Sequence, residues 1–575
     1  MSLKAQSTIP NSRLGFWNNC GAEIKSNYTD SVNILDLGAV GNGIFNCSPI
    51  FQNAINARNN NLLLIYVPAG VYNLESVVNV SDSIIIRGEG AATHFKINHS
   101  DNGFNANGQL VGPNFSYTTT NVARGTMYII DAVIKQALLP NDFIELYQLN
   151  GSWDTNPATW AQNSLGQIIQ IDTIINDTIF FTEPLVIDID ITLYPQIRKL
   201  IPRKDVGFEC FKIEKVGQTA GAVNNFSLIR SYNCWLKGIE SDKSIAAHCF
   251  IYYSLHCSVI GSYFHNAFIF DGTGTRGYGI AIGQHTTKVL VENNCFDLLR
   301  HAMILKEGAS DNIIAYNYSK STKRSEFPAD GSADISLHGH YPHHNLIEGN
   351  NVQTIWTDDA WGTSGPYNTI FRNRTNLYGI LITNNNTNSQ NYVGNEITNT
   401  SGLFGQYVIS TMDNFLYGNN DGGVIKPTNT SLNITEKSYF LENKPLYWGN
   451  LSFPNIGTAT EYNQSKIPAQ LRFENNTFID CNVYNPADTN IIIDTPAFVN
   501  KIEIALIDVK YLNGQLTLNS KFENLNNVFV YDLSGKEIFQ YKSTIKTNYL
   551  TIPLSLRSGF YIVRTANQFV KFVVE

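Results

Sequence analysis

"VLVEN" (289–293), "IIAYN" (313–317), "LIEGN" (346–350) and "TIFRN" (369–373) are four versions of one phrase. Each is a few strand-forming residues that end on Asn. The phrase continues in "NYVGN" to Asn395, "FLYGN" to Asn419, "LYWGN" to Asn450 and "LRFEN" to Asn475. Counted from Asn293, the closing asparagines follow at 24, 33, 23, 22, 24, 31 and 25 residues. A strand and turn recurring every ~20–30 residues is the mark of a solenoid. One such coil cannot bury its own apolar side chains, whereas stacked coils share a continuous core. An Asn at the same turn of every coil predicts a ladder, amide bonded to amide. Asn also tolerates the left-handed backbone that a tight turn demands.

The chain has 575 residues, enough for a large core and a second domain. Only 15% are charged, which suits a turn-rich all-β protein and argues against coiled coils. A net charge of −8 gives no support for nucleic acid as a partner. No run approaches the ~18–20 apolar residues of a membrane span. The eight cysteines lack metal-ligand spacing. Cys234 and Cys257 fall at equivalent places in adjacent coils, which allows either a disulfide or a stacked pair of buried thiols. In residues 1–30, "LKAQS" reads as the tail of a signal peptide. Ser48-Pro49 marks a helix start, expected to plug the N-terminal end of the solenoid. Residues 95–205 lose the coil register and predict a strand-rich excursion that walls one side of a groove. The coils are expected to span 31–498, followed by a sandwich of alternating strands at 499–575.

The strand 11–16 residues before each Asn forms another face of the coil. Its segments are "GYGIAI", "HAMILK", "DISLHG", "TDDAWG" and "GILITN". Alternation places Ala302, Ile304, Ile335, Leu337, Ile380 and Ile382 inward. The opposite parity points His301, Asp334, Ser336, His338, Asp359 and Trp361 outward. In this register His301 bonds Asp334. Asp334 and Asp359 stand about 8 Å apart by strand spacing, within the range of an inverting carboxylate pair. His338 and Trp361 would bind sugar. Arg300 and Lys306 flank "HAMIL", and the ten or so extra residues around "SKSTKRSEFPADGS" bring Lys323 and Arg324 over the strip. His340 follows in the next turn, as a binding rather than a metal-ligating residue.

"LGAVGNG", "FQNAINA", "IYVPAGVYNL" and "IIIRGEG" in residues 37–90 resemble the opening of the pectate-lyase superfamily. That group includes polygalacturonase-related hydrolases. The resemblance implies an all-β right-handed parallel β-helix and cleavage of a plant or algal polysaccharide. "VYDLSGK" and "LRSGFYIV" resemble the C-terminal sorting domain of type IX secretion in Bacteroidetes, although the usual "YPNP" opening is replaced by "KYLNGQLTL". That implies a secreted or surface-attached protein which meets the secretion machinery. A monomer is expected.

Three functions follow. The first is a glycoside hydrolase with Asp334 and Asp359 as acid and base, although the polygalacturonase motif series is absent. The second is a lyase using Arg300, His301 or Lys306, since "LLRHAMILKEG" is similar to an Arg-His strand of alginate-type lyases. "GIAIGQH" stands where that pattern has a Lys one coil earlier. The third is a non-catalytic glycan-binding adhesin. No cofactor is required, with Ca²⁺ as an option for the lyase alone.

Overall fold

The computed structural model describes residues 7–482 and 507–574, apart from 60, 218–220, 273, 360, 383–385, 402–404, 432, 458–460, 513, 521–524, 526, 533–535, 545–546 and 566–568. The chain divides into two compact units, residues 1–488 and 489–575. The expected boundary at 498/499 lies outside the described residues.

The first unit is a parallel β-helix of about a dozen coils with three strands in a full coil. Pairing advances one coil at a time: Leu290 opposes Ile313, Ile313 opposes Leu346 and Leu346 opposes Thr369. The first sheet runs from Asp30–Asn33 to Phe415–Tyr417 and the second from Asn42–Asn46 to Asn419–Asp421. The third sheet starts at Val78–Asn79 and ends at Gln406–Ile409. One buried cluster fills the interior from Ile34 to Ile397. The helix Ser48–Asn56 closes its N-terminal end with Phe51, Ala54 and Ile55. Ser48 is the first helical residue and Cys47 the cap, one place earlier than the sequence suggests. The Ser48 hydroxyl serves the neighbouring coil instead, accepting from the Glu75 and Ser76 amides.

The ladder is present on the expected asparagines from Asn317 to Asn419, and only its first rung is displaced. Asn294, Asn317, Asn350, Asn373, Asn395 and Asn419 are all fully buried. Each amide donates to the next carbonyl oxygen at 2.9–3.1 Å. Asn294, not Asn293, is the first of these rungs. The left-handed residue is the one before each rung: Asn293, Tyr316, Gly349, Arg372, Gly394 and Gly418 all have positive φ. Glycine suits it for a second reason, since a Cβ at Gly349 would lie 2.3 Å from the Tyr316 ring. A second ladder, Asn312–Asn345–Asn368–Gln390, runs along another turn.

Asn450 and Asn475 do not belong to coils. Asn450 follows a short turn at Leu446–Trp448, and Asn475 ends the helix Pro468–Glu474. Residues 430–482 instead run back along the outside of the solenoid. Ile434, Leu441, Trp448, Ile467 and Ala469 pack there on outward residues of the first sheet. Arg372 fastens this return segment by donating to the carbonyls of Glu436, Ile456 and Ile434. Cys481 joins it to Cys210 by a disulfide (Cα–Cα 5.5 Å), whereas Cys234 and Cys257 are free and buried.

Residues 7–29 form a second external arm. Ile9 and Trp17 pack beside Leu290 and Leu346, and Ala22 and Ile24 beside Ile85 and Trp235. Arg13 bonds Asn391, the Ala22 amide donates to Ser258, and the Glu23 amide to Asn233. These residues are therefore an integral clamp. Part of "LKAQS" falls in residues 1–6, outside the described residues.

The excursion is an antiparallel six-stranded sheet between Gln109 and Ile201, narrower than the expected 95–205 because Ile84–Ile97 and Phe104–Asn105 still belong to coils. The second unit holds a three-stranded and a four-stranded antiparallel sheet, with Leu516, Leu518, Val528, Val530, Ile552 and Val563 between them.

Candidate active site on the third sheet

The outward strip of the third sheet differs from the predicted one by a shift of parity. Met303 and Leu305 face Ile335 and Leu337 in the core register, and Ala302 is interior as expected, whereas Ile304 is not. Ile304 stays on the outer side with Tyr278 and Ala281. Thr357 is buried 3.3 Å from the Tyr392 hydroxyl, so Trp356 and Asp358 face outward instead of Thr357 and Asp359. The irregular start of Tyr278–Gly283 and His301–Leu305 defeats a strict count by twos: Gly279 points its missing side chain at Phe296 although Ile280 is also interior.

One column of this strip gathers titratable side chains. Tyr252 pairs with Gly283, and Ser336 and His338 pair with Trp356 and Asp358. Leu305 opposes Leu337, so Lys306 follows in line with His338, ~4.8 Å away along the stack. Gly283 has no side chain between Tyr252 and Lys306; a Cβ there would lie 2.7 Å from the Tyr252 ring. Across that gap the Lys306 ammonium comes within 5.7 Å of the ring centre. It also pairs with Glu307 at 2.9 Å. Burial disfavours the ammonium, but Tyr252 and Glu307 outweigh it and hold Lys306 above its ordinary range. Burial likewise raises the Tyr252 phenol, which keeps its proton.

His338 Nδ1 lies 2.7 Å from Asp358 Oδ2, and the Ser336 hydroxyl is 3.4 Å from the same oxygen. A carboxylate at Nδ1 fixes the ring and leaves Nε2 as the basic nitrogen. His301 sits beside it, ring centres 5.9 Å apart. Its Nδ1 donates to the Ala333 carbonyl at 2.8 Å. Burial, and then the neighbouring His338, pushes the His301 imidazole down to about 3, so it stays neutral. The expected His301–Asp334 bond is absent because His301 lines up with Ala333.

Asp334 itself is fully buried, and its Oδ2 accepts the Gln353 and Thr354 amides at 2.9 and 2.8 Å. Burial pushes its carboxyl up to about 6. It therefore serves the irregular backbone of the strand Asn351–Asp358 and does not reach the outer strip. Asp359 lies past the end of its strand, where Asn386 donates to it at 3.1 Å. The carboxylate pair read from the sequence is thus not assembled on one surface.

The other expected residues divide by position. Trp361 is half-exposed, its ring 6.4 Å from His338. Arg300 donates to the Gly272 carbonyl and lies 5.9 Å from the Tyr278 ring, on the opposite edge of the strip from Lys306. Lys323 reaches over the Phe270 ring at 4.6 Å, joining the long loop to the loop before Tyr278. Arg324 turns back to the Pro328 and Phe327 carbonyls of its own loop. Lys320 points to Phe473, away from the strip. His340 is buried under the excursion, against Trp160 and the Asn156 carbonyl. The excursion thus walls the Lys306–His338 edge, as expected. Toward the N-terminal coils, a cavity of about 530 Å³ continues the strip, lined by Ser227, Ile229, Phe250, Thr275 and Arg276. Among the described residues, no three His, Cys, Asp or Glu are placed to hold a metal ion.

Sequence reasoning missed Tyr252, Trp356, Asp358 and the role of Gly283. The only available signal was the aromatic pair "YY" (252–253) one coil before a glycine-bearing strand.

Comparison with known proteins agrees with this architecture. Residues 31–179 match the family described as Rhamnogalacturonase A/epimerase, pectate lyase-like. Residues 512–574 match the Secretion system C-terminal sorting domain. The N-terminal coils of the parallel β-helix thus resemble the pectate-lyase-like family, and the tail carries a sorting domain that indicates export to the cell surface or outside. No helix among the described residues is long and apolar enough to cross a membrane.

No curated protein sequence matches. Among solved structures, the tailspike gp61 of Pseudomonas phage phi297 aligns at 14% identity and TM-score 0.49, over 68% of this chain and 74% of the other. The gp54 tailspike of Acinetobacter baumannii bacteriophage AP22, solved with a capsular saccharide, aligns at 10% identity and TM-score 0.37, over 67% and 69%. An exopolygalacturonase from Thermotoga maritima aligns at 11% identity and TM-score 0.31, over 65% and 87%.

Proposed function

We propose that this chain is a secreted polysaccharide lyase, cleaving a uronate-bearing polymer by β-elimination along the third sheet. The supporting observation is the column Tyr252–Gly283–Lys306–His338–Asp358, which sets a histidine held by a carboxylate beside a lysine held charged. Elimination requires a base for the proton next to the sugar carboxylate and a positive charge to steady the resulting anion. His338 Nε2 removes the proton. Lys306 faces the carboxylate from one edge of the strip and Arg300 from the other. The bond to the departing sugar oxygen then breaks, leaving a carbon–carbon double bond, and that oxygen takes a proton from water in the open groove. Lys306 supplies charge that Ca²⁺ would otherwise supply. Trp356 and Trp361 offer apolar faces to neighbouring sugar rings.

Hydrolysis through Asp334 and Asp359 has less support, because Asp334 is fully buried. The experiment is a screen of acidic plant and algal polysaccharides, reading reducing ends and ultraviolet-absorbing unsaturated ends together. Both signals are expected, and both should vanish in His338→Ala. Reducing ends without absorbance would select hydrolysis. Polymer binding with neither signal would make the chain an adhesin.

A further inference from the structure

Beside the reacting column lies a separate pocket of about 160 Å³. Its floor is the end of two coil strands, Tyr253 and Gln284–His285, immediately after Tyr252 and Gly283. Its roof comes from the excursion, with Trp160, Gln162, Asn163 and Arg198. The base is rigid. Glu145 is fully buried, accepting from Arg198 Nε at 2.5 Å and bonded to His285 Nδ1 at 2.8 Å. His285 Nε2 is bound in turn by the Asn163 carbonyl at 2.5 Å, and its ring stacks at 16° on Tyr147.

Above that base the lining is polar and uncommitted. Arg198 spends only Nε on Glu145, leaving both terminal nitrogens without a hydrogen-bond partner among the described residues. The side-chain amides of Gln162, Asn163 and Gln284 likewise have none. Trp160 stands half-exposed at the rim, edge-on to His340 at 4.8 Å. Amides and a planar guanidinium match vicinal hydroxyls, and an indole face matches the C–H face of a sugar ring. The Glu145 carboxylate offsets the Arg198 charge at the base of the pocket, and Arg230 lies behind the Tyr253 ring at 4.7 Å.

We propose that this pocket is a second carbohydrate site, taking one neutral, hydroxyl-rich sugar that branches from the polymer in the groove. The inference rests on the chain acting on a polysaccharide. The pocket's sideways position at the Tyr252 edge suits a branch, because the backbone of the polymer follows the stacking direction of the coils. The excursion supplies the roof, so this insertion sets which side chains a substrate is allowed to carry.

The test is saturation-transfer NMR on the full chain, with galactose, glucose, mannose, rhamnose and arabinose as neutral probes and galacturonate as the charged one. At least one neutral sugar is expected to bind, and to bind equally well when Lys306→Ala and His338→Ala are combined. Trp160→Ala should weaken it about tenfold. Gln284→Asn, which keeps a side chain suited to φ 42°, should weaken it about threefold. Thermal melting of both variants should match the parent, since Trp160 is a surface residue and Asn tolerates the turn. Three results overturn the proposal: no neutral sugar binds, binding is indifferent to Trp160→Ala, or galacturonate binds better than every neutral sugar. If no polymer is cleaved but Trp160-dependent sugar binding remains, the pocket stands and the lyase falls.

Discussion

On the flank of the first sheet, outward residues such as Leu290, Ile313 and Leu346 lie under two external segments, residues 7–29 and 430–482. On the flank of the third sheet, the outer apolar floor is only Ala247, Tyr278, Ala281 and Ile304, with Phe250 beside them. The same coils build both flanks. Covering decides what a polar group does there. Glu292 and Glu348 are fully buried on the covered flank, where burial pushes their carboxyls up to about 8 and about 7. On the open flank the Lys306 and His338 side chains keep 16% and 20% of their surface, so both remain accessible to a ligand. A buried ionisable group on this solenoid is committed to the fold, whereas a half-buried one in line with another is a candidate for chemistry.

The largest effect should come from the open flank. His338→Ala or Lys306→Ala should cut the rate about 100- to 10,000-fold while the melting temperature stays within a few degrees. A matching loss of stability would place both residues in the structural class. Asp358→Asn should cost about tenfold or more in kcat, whereas Asp334→Asn should leave kcat unchanged and lower only the melting temperature. The reverse pattern would restore the carboxylate pair.

The covered side should respond in stability alone. Asn350→Ala removes a rung that donates to the Ile314 carbonyl and accepts the Asn317 amide, both fully enclosed. The expected loss is about 3 kcal/mol, read by chemical denaturation, with kcat intact in the surviving fold. Glu292 yields a pH test. Its folded carboxyl titrates near 8 against an ordinary 4.5, so the folded state holds the extra proton between those values. Its contribution is complete below about pH 4.5 and is lost as pH rises toward 8, at up to ~1.4 kcal/mol per unit. Glu292→Gln should flatten that slope, and an unchanged slope would transfer it to other groups. The smallest effect belongs to Trp361→Ala, a rise in KM of about threefold with kcat unchanged.

Much of this was legible in the repeat. Strand residues before a turn Asn dictate parallel stacking, because only stacking satisfies both the apolar face and the buried amide. The site was legible in part. "HAMILK" and "DISLHG" placed Lys306, His338 and Ser336 on the outer strip, where the structure also has them, although ten or so extra residues separate the two segments. Asp358 was missed because strict alternation put Thr357 and Asp359 outward, whereas the strand Asn351–Asp358 carries a register shift between Val352 and Thr354. "LYWGN" and "LRFEN" carry the repeat's pattern without its place: their apolar residues pack on the outside of coils, where the same composition is equally well buried.

The order of residues by itself determined the coil, the buried Asn rungs, the helical plug and the sorting tail, because each depends on neighbours within a coil or on the identical turn one coil away. Only the tertiary structure decided which flank is covered. That depends on where residues 7–29 and the return segment lie, hundreds of residues from many of the surfaces they bury. Leaving the third sheet uncovered is what lets Tyr252, Lys306, His338 and Asp358, spread over more than a hundred residues of sequence, meet in one column.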